Sequence, residues 1–146
     1  MIPNETPLSA LAHTIQLSVA PVFLLTALGT FLGVLSTRLG RIVDRARVLV
    51  EQRIPAAPAA ARGRFHSELA LLRRRRHLVN MAITAGVTAA LFVCTIISAL
   101  FIGEMLHANV TRLAAVLFVA AMLAFTVALL LFLREIVLAV ASIRID

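Results

Sequence analysis

The chain has 146 residues, 61% of them hydrophobic and only 14% charged, with a formal net charge of +7 and a mean hydropathy of +0.99. A soluble domain of this length usually carries about 25% charged residues, so the apolar excess is expected to face lipid rather than to fill an oversized core. One domain, 1–146, is expected, with no room for a separate catalytic module. The single cysteine, Cys94, has no intrachain partner and leaves the redox compartment open.

The first apolar stretch, 14–37, is long enough for a transmembrane helix, which needs about 20 residues. Asn4 and Glu5 stand where a cleavable signal peptide would be basic, and Arg38 and Arg41 follow the stretch. It is therefore expected to stay in place as a reverse signal anchor. Pro21 removes a backbone hydrogen bond and is expected to kink this helix near its outer end. Gly29, Gly33, Ser36 and Gly40 fall within roughly 60° of one another at helical spacing. Small residues so placed favour close approach of another helix, and the alternative is a flexible gating element.

Between Arg38 and His77, eleven arginines face three acids, a local balance of +8, against −1 for the rest of the chain. All fourteen basic residues are arginine. The positive-inside rule then predicts a cytoplasmic segment 38–77, an external N-terminus and a cytoplasmic C-terminus. Ile42, Val43, Ala46, Leu49 and Val50 recur at three- and four-residue spacing, as in an amphipathic helix. Asp44 is placed to pair with Arg41 and Arg47, and Glu51 with Arg47. Pro55, Pro58 and Gly63 are expected to break the helix, and a second to resume near Phe65. The two would form an antiparallel hairpin protruding some 20–30 Å. Arg38, Arg41, Arg45, Arg73, Arg76 and His77 are candidates for contact with anionic headgroups or for an anion-attracting vestibule. The consecutive arginines 73–76 point all around their helix, so they do not form one binding face. Nucleic acid is not expected as a partner, because there is no recognition motif and no Tyr or Trp for stacking.

The second apolar stretch, 78–103, carries Asn80, Thr84, Thr88, Thr95 and Ser98 within an arc of about 80° on a helical wheel. His77 and Arg73 extend this arc, and Leu91 and Ile102 interrupt it. Such a face either bonds neighbouring helices or lines a watery path. The third stretch, 113–133, continues into a seven-residue repeat of Ala114, Ala121, Ala128, Glu135 and Ser142, read as a left-handed packing seam. A carboxylate on a packed face near lipid needs a partner, and Arg38 or Arg41 lies at matching depth for Glu135.

Several of these segments resemble a known family. Ile15-Gln-Leu-Ser-Val-Ala-Pro-Val-Phe-Leu-Leu-Thr26, Arg38-Leu-Gly-Arg-Ile-Val-Asp-Arg-Ala-Arg47, Glu68-Leu with Arg73 to Arg76, and Phe132-Leu-Arg-Glu-Ile-Val-Leu-Ala139 resemble the bacterial membrane family known as domain of unknown function 2721. The resemblance runs from about Ala10 to Ala139. It implies a three-helix prokaryotic membrane protein and supplies no activity.

The fold class expected is all-α and membrane-integral, with three transmembrane helices and a long cytoplasmic hairpin between the first two. His13, His66, His77 and His107 show no metal-ligand spacing, and no phosphate loop, nucleophile elbow or carboxylate pair is present. No enzyme activity, cofactor or metal is expected. Three helices are too few to enclose a pore, so the expected form is a homo-oligomer in the bacterial inner membrane. It would be an ion channel with the polar face of the second helix at its axis, or else a non-conducting scaffold or accessory subunit. The scaffold would bind a cytoplasmic partner or anionic lipid through the hairpin.

Overall fold

A computed structural model describes residues 7–56 and 58–143. Helix α1 spans Pro7–Val48 and passes through a π-helical turn, Leu49–Arg53, into the short α2, Ile54–Ala56. Helix α3 spans Ala59–Met105 and α4 spans Thr111–Ile143. No strand occurs among the described residues. The three helical stretches Leu11–Ala56, Ala59–Met105 and Thr111–Ala141 are each long and apolar enough to cross a bilayer. In their most apolar windows only 17%, 22% and 11% of residues are buried. Val22, Phe23, Leu123 and Leu130 are all about half exposed or more, far beyond the apolar patches a soluble monomer leaves in water.

The helices run past the limits expected from hydropathy, because charged residues at a membrane boundary do not end a helix. Helix α2 ends at Ala56 and α3 begins at Ala59, close to the two prolines, rather than near Phe65. The alanines at 59–61 are strong helix formers, and the Ala61 amide donates to the Pro58 carbonyl at 2.9 Å to close the first turn. Gly63 lies inside α3. The π-helical turn has a local cause: Pro55 has no N–H to give to Glu51 and its ring crowds that carbonyl, so the preceding turn widens. Pro21 lies buried inside α1 without ending it.

The residues form two compact units. In the first, α1 up to Thr30 packs with residues 86–126. Its core is Leu28, Ala89, Val93 and Ala121, with Leu24, Leu25 and Phe125 against it. Thr14 and Ser18 are also buried here. The Thr14 hydroxyl donates to Glu104 Oε2 at 3.3 Å, and the Ser18 hydroxyl donates to the Thr14 carbonyl. Helix α3 ends in a six-to-one closure, Ala108 N–H to the Gly103 carbonyl, with the His107 N–H reaching the Glu104 carbonyl. His107 takes the left-handed conformation, φ 51°, that this closure requires. Gly103 is needed for space: a Cβ there would collide with the Val110 side chain.

In the second unit, residues 31–85 pack with α4 from Val127 onward. Its core is Leu35, Ile42, Leu49, Leu72, Val79 and Ala82. Leu35, Ile42 and Leu49 recur every seven residues, as do Leu72 and Val79, the spacing that keeps one stripe of a helix facing its neighbours. Asp44 and Glu51 form no ion pair among the described residues, contrary to expectation. Such pairs on an exposed helix surface are worth only about 0.3–0.5 kcal/mol. Arg45 instead reaches across to Glu68 on α3, 2.7 Å away.

Candidate functional site

The most buried charge among the described residues is Glu135, which is 0% exposed. The seven-residue repeat of α4 aims it inward, since Ala128 one repeat earlier is also fully buried. Of the two partners considered from depth, Arg38 reaches it: Nη1 donates to Oε2 at 2.9 Å. Arg75 holds the other oxygen with two bonds, Nε at 3.1 Å and Nη2 at 2.8 Å to Oε1. Arg38 is further fixed by Phe132, whose ring centroid lies 5.1 Å from the guanidinium carbon and which meets Phe31 edge-on. One carboxylate on α4 thus ties α1 and α3 together through two guanidiniums, and both its oxygens are satisfied. Such an arrangement fixes the register of three helices.

Arg75 is not singled out by the sequence within the run of four arginines. It lies seven residues after Glu68 and seven before Ala82, on the inward repeat of α3. Its neighbours in the arginine run are rotated outward, and Arg73, Arg74 and Arg76 are exposed.

Two open grooves flank this point. One, of about 300 Å³, is lined by Arg38, Arg41, Ile42, Arg45, Leu72 and Arg75. Three of its four arginines are already committed to Glu135 or Glu68. The other, of about 640 Å³, is lined by Leu39, Val43, Arg73, Arg76, His77 and Asn80, and no carboxylate lines it. No metal-binding cluster occurs among the described residues.

The polar residues of α3 lie on its outer face. In the second unit Asn80 and Thr84 are exposed; in the first, Thr95 and Ser98 are exposed and Thr88 is half-buried. The Thr84 hydroxyl donates to the Asn80 carbonyl at 3.0 Å and the Thr95 hydroxyl to the Leu91 carbonyl at 2.8 Å. These hydroxyls are satisfied by their own helix and bond no neighbouring helix of the chain through those protons.

The glycines of α1 behave similarly. Gly29, Gly33, Ser36 and Gly40 are exposed, and a Cβ at any of the three glycines meets nothing within 4 Å. Thr26, Thr30 and Thr37 share this face, each hydroxyl donating to the carbonyl four residues earlier. At about 100° per residue this face is opposite the buried leucines. Glu135, the other residue expected in a helix-packing seam, is buried, whereas the glycines are exposed. The leucine repeat of α1 fills the inward side.

The family model described as "Protein of unknown function (DUF2721)" matches residues 18–145. Nothing among curated proteins matches the chain, and no solved structure does. The match covers most of the 146 residues, so the chain belongs to that family.

Proposed function

We propose that this member of the family is one subunit of a symmetric homo-oligomer in the bacterial cytoplasmic membrane, and that the polar face of α3 lines an ion path along the oligomer axis. On this reading α1, α3 and α4 cross the bilayer, the N-terminus is external, and the +8 segment 38–77 forms a cytoplasmic hairpin around the mouth of the path. The observation that carries the reading is the outward placement of Asn80, Thr84, Thr95 and Ser98. Polar side chains on a membrane helix normally face a bundle interior or water, and within one chain Asn80 borders the open groove beside α1 while Thr84, Thr95 and Ser98 stand exposed. A ring of subunits supplies the missing interior. The outward Gly29–Gly33–Gly40 face, open to close approach, suits the contact between subunits. Anions are the favoured permeants, because the arginines raise their local concentration at the inner mouth.

Replacing Thr88 and Thr95 by valine removes hydroxyls from the path while keeping side-chain shape. Single-channel recording in planar bilayers is expected to give a several-fold change in conductance for Thr88→Val with Thr95→Val, with assembly unchanged. Unchanged conductance in an intact oligomer contradicts the pore.

A second reading is favoured by the unpaired arginines of the hairpin. Arg41, Arg73 and Arg76 have no ion-pair partner among the described residues, which suits a non-conducting scaffold that docks a cytoplasmic partner or anionic lipid. A stoichiometric partner that is lost on deleting residues 46–66, with no current in bilayers, selects that reading.

A further inference from the structure

Asn80, His77, Arg76 and Arg73 come together in the 640 Å³ groove, opposite Leu39 and Val43 of α1. Arg76, His77 and Asn80 follow Arg73 by three, four and seven residues, which places all four side chains within about 100° on one face of α3. Arg73, Arg76 and His77 form no ion pair or hydrogen bond among the described residues. The groove therefore gathers two permanent positive charges, an imidazole and an amide, all able to donate. The neighbouring groove differs in that Glu135 and Glu68 already occupy most of its guanidiniums.

We infer that this groove is a binding site for a phosphate group, with the headgroup of an anionic phospholipid as its source. Guanidiniums recognise phosphate oxygens through paired, charge-assisted hydrogen bonds, and Asn80 and His77 add donors on the same side. The position argues for a lipid source. Asn80 lies just inside the apolar stretch of α3 and Arg76 just outside it, the depth at which headgroup phosphates sit. Leu39 and Val43 give the opposite wall an apolar surface for the glycerol and upper acyl chain. Basic pockets between membrane helices on the cytoplasmic side are recurrent headgroup sites. The site rests on the second reading and deepens it, naming the lipid chemistry its arginines take. It occupies the face of α3 that the ion-path reading gives to the axis, and bilayer current tests the ion-path reading separately from lipid binding.

The test is calorimetric titration of the full chain in neutral detergent micelles with short-chain phosphatidylglycerol, short-chain phosphatidylcholine and inorganic phosphate. The expected result is saturable phosphatidylglycerol binding that weakens about thirtyfold in the double variant Arg73→Gln, Arg76→Gln. The double variant Arg53→Gln, Arg64→Gln removes the same charge from the same segment outside the groove, and its binding is expected to be unchanged. If the first variant does not fold, Asn80→Val serves as the second probe, with weaker phosphatidylglycerol binding expected. Inorganic phosphate binding as tightly as the lipid, with the same loss in the groove variant, keeps the phosphate site and overturns the lipid as its source. Equal losses in the two double variants, or phosphatidylcholine binding as tightly as phosphatidylglycerol, overturns the site.

Discussion

Replacing Glu135 by alanine is expected to cost the fold about 3 kcal/mol. The carboxylate is fully buried, and its removal leaves Arg38 and Arg75 without a counter-charge. Stranding one partner of a fully buried pair costs about 3–5 kcal/mol. The lower end applies because the two arginine side chains keep 38% and 21% of their exposure and relax towards water or headgroups. Glu135→Gln fails for a related reason, since its amide nitrogen would point a donor at guanidinium donors. The stabilisation lies in pairing rather than in charge as such. The triple variant Arg38→Met, Arg75→Met, Glu135→Leu removes all three charges together and is expected to recover most of the loss, because a charged cluster gains little over apolar packing of similar volume. Unfolding by SDS titration in mixed micelles reads both results. A Glu135→Ala protein that unfolds at the wild-type midpoint contradicts the three-way tie.

The second large effect compares two buried leucines of α1. Leu28 and Leu49 are both 0% exposed, yet their truncation is expected to differ. In water, Leu→Ala in a core costs about 2–5 kcal/mol, part from transfer of the removed atoms and part from the cavity. In a bilayer the transfer part nearly vanishes, because lipid is as apolar as the leucine. Leu49 lies beyond the arginines at 38, 41, 45 and 47, in the part of α1 proposed to leave the membrane. Leu49→Ala is therefore expected to show the full loss and Leu28→Ala about half of it. Equal losses in nanodisc-embedded protein contradict a membrane boundary between the two positions.

The contrast between legible and hidden seams has a physical basis. On α4 the repeat of Ala114, Ala121 and Ala128 is readable because small residues stand out from surrounding leucine and valine, and one acid, Glu135, continues it. On α1 the packed repeat is Leu28, Leu35, Ile42 and Leu49. Leucine serves equally well against lipid and against another helix, so residue type does not separate buried Leu28 and Leu35 from exposed Leu17, whereas Ile42 and Leu49 stand out by their amphipathic spacing among the arginines. The glycines were the conspicuous feature of that helix, and they lie on its outward side. Arg75 was hidden for a different reason: in four identical residues, composition cannot single one out, and only its register with Glu68 and Ala82 does so. The outward placement of Thr84 and Thr95 was likewise undecidable from sequence, since a threonine bonded to its own helix is tolerated in either setting.

On the proposed reading, the polar face of α3 and the open face of α1 meet further copies of the chain. Native mass spectrometry of the full-length protein released from nanodiscs counts those copies directly. A closed ring of four or more subunits is the result expected of a path lined by Asn80, Thr84, Thr88, Thr95 and Ser98. A monomer or dimer contradicts it, because so few helices leave no axial space for an ion to pass.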